Sequence, residues 1–286
     1  MKSSRDLPRL TLVVFLAVSA VAQQPGPPSI PSTGFAGLDQ YRASRIAVFT
    51  DDYGQLARYR DADAALKPPA PGENRIVFFG DSITDGGVTN TPDVRGWPGY
   101  LALRLIRERG PAHFAVANEG IAGNRLLNDM IGLSALARFD RDVLSLPNVT
   151  HLILLEGIND IGFQSFPDNK NPGPPIEANA LIAAFRQMIE RAHQHGIKVV
   201  GGTLVAFQGA MYYSAAGDQT REAVNEWIRS GGEFDAVVDF DRALRDPAEP
   251  KRLAAAYDSG DHLHPSDAGY AAMSKAFNLS VFSDSK

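Results

Sequence analysis

The sequence predicts an α/β domain, a three-layer α/β/α sandwich around a five-stranded parallel sheet. Three observations carry this. Five short runs rich in Val, Ile, Leu and Phe occur between residues 75 and 240. Each is apolar almost throughout rather than alternating, as strands buried on both faces require. Stretches of helical spacing lie between them, and such alternation folds through right-handed crossovers.

Taken in order, the chain opens with a different kind of segment. Lys2, Arg5 and Arg9 precede the apolar run LTLVVFLAVSAVA, which ends in Ala20-Val21-Ala22. A basic start, a short apolar stretch and small residues at the end predict a cleaved secretory signal peptide over residues 1–22. The run falls short of the ~20 apolar residues that span a bilayer. Residues 23–72 read as an N-terminal linker and helical extension. Its ends are proline-rich, PGPPSIPSTG at 25–34 and KPPAPG at 67–72, and partly helical spacing occupies 37–66. The main domain is expected over 73–286.

In that domain the strands are RIVFF (75–79), HFAVAN (113–118), HLILL (151–155), KVVGGTLV (198–205) and DAVVDF (235–240). The helices are 97–110, stopped by Gly110-Pro111, then 178–195, 220–228 and 265–277. In the second, Ile182, Phe185, Ile189 and Ala192 share one face, and Gly196 follows as a stop.

Composition narrows the function. The 286 residues are 44% hydrophobic and 21% charged, enough for a sizeable core. The net charge is -5 and no basic stripe stands out, which argues against nucleic acid as a partner. The chain has no cysteine, so disulfides, thiol catalysis and cysteine-bound metals are excluded.

Four polar stretches follow the strands. They are GDSITDGG (80–87), NEGIAGNR (118–125), EGIND (156–160) and DSGDHLHP (258–265). Loops after parallel strands gather at one edge of the sheet, so the four should meet. Any one alone reads equally well as capping and turn chemistry. Together they supply a serine just beyond a strand, a histidine three residues after an aspartate, and glycine and asparagine donors. A serine hydroxyl is a poor nucleophile until a base takes its proton, and histidine has the right basicity near neutral pH. Pro265 disfavours helical backbone at His264 and can open the next helix.

Gly80-Asp81-Ser82, Gly123, Gly157-Ile158-Asn159-Asp160 and Asp261-His262-Leu263-His264, in that order, resemble the four blocks of the SGNH (GDSL-type) esterase family, with Ile83 where the family name has leucine. The resemblance covers roughly residues 75–280 and looks most like secreted bacterial members. It implies a flavodoxin-like fold and serine ester hydrolysis with no cofactor and no metal. In it Ser82 is the nucleophile, His264 the base and Asp261 the residue that orients His264. The Ser82 and Gly123 N–H groups and the Asn159 amide form the oxyanion hole.

The expected substrate is a small-molecule or polysaccharide ester, favouring short acyl groups, met outside the cytoplasm with no stable membrane insertion. Longer-chain lipids are the first alternative. A metal-dependent phosphoesterase using Asp81, Asp85, Asn159, Asp160, Asp261 and His264 is the second. His262 reads as a loop residue, because its spacing from Asp261 is wrong for facing it. Trp97 reads as either pocket lining or packing, and Asp160 as either a brace for Asn159 or a turn cap.

Overall fold

The computed structural model describes residues 74–87, 96–109, 114–166 and 174–282. The expected leader, linker and helices before residue 73 lie outside the described residues.

Five strands form one parallel sheet: β1 (Asn74–Gly80), β2 (Phe114–Gly120), β3 (Val149–Leu155), β4 (Lys198–Gly202) and β5 (Ala236–Val238). Their order is β2-β1-β3-β4-β5. The chain runs outward from β1 to β2, then returns across β1 to β3. The carboxyl end between β1 and β3 is therefore a topological switch point, where open α/β sheets form their crevice. Gly80 pairs with both Gly120 and Leu155, so three strands end level there.

The pleat sends neighbouring residues to opposite faces, and the Phe78-Phe79 pair shows it. Phe78 meets Trp97 of helix α2 (Gly96–Arg109) edge-on at 5.1 Å. Phe79 meets Phe139 of helix α3 (Ala135–Phe139) at 5.7 Å. Trp97 also packs on Phe240 and Phe277 and is fully buried, so it is core and not pocket lining. Burying each such ring contributes about 2–3 kcal/mol. On the second face helix α5 (Ala178–Gln194) buries Leu181, Phe185, Met188 and Ala192, and Phe185 stacks on Trp227 of α6 (Ala215–Ser230). Gly196 (φ 70°) follows α5 as the expected stop.

Several expected boundaries are corrected. β4 was expected to run to residue 205 but stops at Gly202. Beyond it, the Leu204 N–H donates to the Asn225 side chain and its carbonyl accepts from Asn225 and Arg221, so α6 takes the bonds a neighbouring strand would take. β5 ends at Val238 because Asp239 caps helix α7 (Phe240–Leu244) by accepting the Arg242 N–H. α6 starts five residues earlier than expected, capped by Ser214. The last helix, α8, spans Asp267–Lys275 and is capped by Ser266. Helices α1 (Ser82–Asp85), α3, α4 (Ile158–Gly162) and α7 are too short for periodicity to reveal.

Candidate active site

The serine-bearing turn is built by its neighbours. Gly80 does not bend the chain; it remains paired in β1. A Cβ there would stand 2.3 Å from the Leu155 carbonyl oxygen, so only glycine lets these strands close. The turn comes from Asp81, whose carboxylate accepts the Ile83 N–H at 2.9 Å and caps α1. Gly86 (φ 73°) ends that helix by donating to the Ser82 carbonyl. Ser82 is thus the first residue of α1, with its N–H free of an intrahelical partner.

The C-terminal loop reaches the same point. His264 Nε2 lies 2.8 Å from Ser82 Oγ, and His264 Nδ1 lies 2.5 Å from Asp261 Oδ2. The other Asp261 oxygen accepts the N–H groups of Leu263 and His264 and the Ser259 hydroxyl. Partial burial pushes the Asp261 carboxyl up, but the His264 hydrogen bond and charge outweigh it and hold the group below the usual range. Asp261 is therefore ionised at neutral pH.

Two further loops complete the edge. Gly123 has φ 72°, a left-handed conformation that favours glycine, and Ile131 covers it closely enough that a Cβ would lie 2.5 Å from its methyl carbon. Asn159 stands on α4, directly after β3. Its amide donates to the Asn124 carbonyl at 2.9 Å, and its oxygen accepts from the Tyr212 hydroxyl at 3.2 Å. One amide hydrogen is left over. Asp160 accepts the N–H groups of Leu126 and Leu127 at 2.6 and 2.9 Å. It thus ties the loop carrying Gly123 to the helix carrying Asn159, the brace reading of its two.

Beneath the site lies a charged network with no motif to announce it. Arg138 is wholly buried with its guanidinium 3.9 Å from the Phe79 ring centroid. It donates to the carbonyls of Gly80 (3.0 Å) and Glu119 (2.7 Å), to the Asn124 side chain (2.9 Å) and to Asp142 (3.1 Å). Glu156 is 3.6 Å away. One side chain thereby holds the ends of β1 and β2 and the following loop. Burial pushes Glu156 well above the usual carboxylate range, with the Asp81 charge adding to it.

Burial likewise raises Asp81 to about 7. Below about pH 4 folded and unfolded chains both carry this proton; between about pH 4 and 7 only the folded chain does. Asp81 therefore lowers stability as pH rises through that window. Asp81→Asn keeps the acceptor for Ile83 and removes the charge. Its Tm should exceed the parent's by roughly 3 °C or more at pH 8.5 and match it within about 1 °C at pH 4 by calorimetry.

Other histidines lie in structural settings. His193 bonds Asp235, His195 bonds the Arg191 carbonyl, and buried His151 lies between Thr150 and the Val281 carbonyl. Among the described residues no group of three or more His, Asp or Glu is arranged to hold a metal ion. No helix among them is long and apolar enough to cross a membrane.

A family model described as the GDSL-like lipase/acylhydrolase family matches residues 78–272, which contain all four loops. The chain belongs to this family. Membership makes this GDSL-like protein a carboxylic ester hydrolase. A search of curated proteins gives no match. Among solved structures, it resembles the acetylxylan esterase Axe2 from Geobacillus stearothermophilus at 23% identity, covering 73% of this chain and 94% of that one, with a TM-score of 0.54. It also resembles a GDSL-like lipase from Bacteroides thetaiotaomicron at 21% identity, covering 79% and 96%, with a TM-score of 0.53. These likenesses show that the GDSL-like chain shares their fold.

Proposed function

We propose that the protein is an exported serine esterase that removes short acyl groups, acetyl above all, from carbohydrate esters. The observation that carries the reading is the continuous chain from Ser82 Oγ through His264 to Asp261, at 2.8 and 2.5 Å. His264 takes the Ser82 proton as Oγ attacks the acyl carbon, and Asp261 fixes the imidazole tautomer and stabilises the imidazolium. The tetrahedral oxyanion is met by the N–H groups of Ser82 and Gly123 and the spare Asn159 amide hydrogen. His264 returns its proton to the departing alcohol. Water, activated through the same histidine, then releases the acid from Ser82. The carbohydrate preference is supported by the likeness to Axe2, and export by the basic and apolar residues before Ala22.

One mole of an aryl alkylphosphonate per mole of protein should attach to Ser82, read by peptide mass spectrometry. Ester turnover by protein that takes up no label there would overturn the assignment.

A longer acyl chain is the second reading. Met130, Ile131 and Leu133 are exposed on the loop that covers Gly123. A kcat/KM on p-nitrophenyl laurate above that on the acetate would favour it.

Tyr212 gains a role here that the sequence did not suggest. Its hydroxyl fixes which way the Asn159 amide points, so Tyr212→Phe should lower kcat about tenfold and leave KM within about twofold. In an Asn159→Ala background the same change should have almost no further effect, which a purely structural tyrosine would not show.

A further inference from the structure

Two residues before His264 the loop holds a second histidine paired with a second aspartate. His262 Nδ1 lies 2.6 Å from Asp258 Oδ2, and the His262 N–H donates to Asp258 Oδ1 at 3.0 Å. The side chain is nevertheless 53% exposed. Its backbone has φ 63°, a left-handed conformation that costs a residue with a β-carbon about 1–2 kcal/mol. On its other side the ring rests on Gly209, where a Cβ would stand 2.9 Å from the ring carbons. Gly209 belongs to the same stretch as Tyr212, which holds Asn159. The ring therefore stands between the His264 loop and the loop that braces the amide. Among the described residues Nε2 has no partner.

Folding does not account for this arrangement. Fixing a half-exposed ring loses rotamer freedom, and the left-handed backbone adds strain. Strained, over-determined residues concentrate at functional sites. We propose that His262, oriented by Asp258, binds the hydroxylated alcohol part of the ester, a sugar ring next to the acylated position. In the neutral imidazole Asp258 draws the proton to Nδ1, so Nε2 presents a lone pair that accepts a sugar hydroxyl. Adjacent Cα atoms are 3.8 Å apart, which keeps the His262 backbone within about 8 Å of His264, near enough for one bound ester to meet both side chains. The inference rests on the esterase reading above and adds the alcohol subsite to it.

His262→Gly tests it, because glycine adopts this backbone without strain and the variant's Tm should equal or exceed the parent's. Acetylated xylotriose and p-nitrophenyl acetate are compared, the second having no hydroxyl for the imidazole. The ratio of kcat/KM for the saccharide to that for the aryl ester should fall about tenfold, the loss of one well-placed hydrogen bond. Inhibition of aryl-ester turnover by free xylotriose should weaken by a similar factor. A ratio and an inhibition constant both within twofold of the parent overturn the inference, including the case in which both esters slow equally. Aryl-ester turnover that survives Ser82→Ala strikes the esterase chemistry instead, so the two failures are distinguishable.

Discussion

Ser82→Ala reduces kcat on p-nitrophenyl acetate by roughly 10^4-fold or more, while its Tm stays within about 2 °C of the parent. The activity loss is large because, in the mechanism proposed above, the oxygen is the atom that forms the covalent bond; nothing else described at the site both lies beside His264 Nε2 and can be acylated. The stability change is small because alanine retains everything else. The Asp81 cap on Ile83 involves no Ser82 atom, and the Ser82 carbonyl still accepts from Gly86. The hydroxyl's one hydrogen bond among the described residues goes to His264, at a part-exposed position. Steady-state rates and calorimetry on the same preparation check both halves. A variant that retains more than about one per cent of the parent kcat would remove Ser82 from the reaction.

The second large effect is on stability, and it falls on a residue that never meets substrate. Arg138→Met strips the donors from the Gly80 and Glu119 carbonyls, the Asn124 side chain and Asp142, all at once and all in the interior. Removing one partner of a buried ionic network costs about 3–5 kcal/mol, because the remaining groups are left without compensation. For a domain of this size that corresponds to a fall in Tm of roughly 10 °C. Methionine occupies similar volume, so the loss reads polar satisfaction rather than a cavity. Arg138→Lys should recover little, since one ammonium cannot span the same partners in a plane. A Tm within about 2 °C of the parent in Arg138→Met would show that the network is not what holds these loops.

The sheet was legible because a parallel strand buried on both faces leaves a continuous apolar run, as in RIVFF and HLILL. Where the strands stop was less so. Gly202 and Val238 are ended by side chains of Asn225 and Asp239, which lie elsewhere in the chain or look like ordinary strand residues. Ser82, Gly123, Asn159, Asp261 and His264 stood out because each occupies a short polar stretch that follows a strand. Arg138 and Tyr212 did not, and Asn124 and Glu156 lie in such stretches without a pattern that marks their role. Arg138 sits in a five-residue helix with no periodicity to mark its face, and nothing local distinguishes a buried arginine from a solvated one. Tyr212 reaches Asn159 across 53 positions through a loop whose conformation the sequence does not encode in any short pattern. His262 was read by its distance from Asp261, when its partner is Asp258, four residues back.

The serine and its histidine stand 182 positions apart. On a ribosome, a nascent chain would have the first long before the second emerges. On the mechanism proposed above, hydrolytic power is thus withheld until the 182 positions between them have been made and the sheet they build has closed.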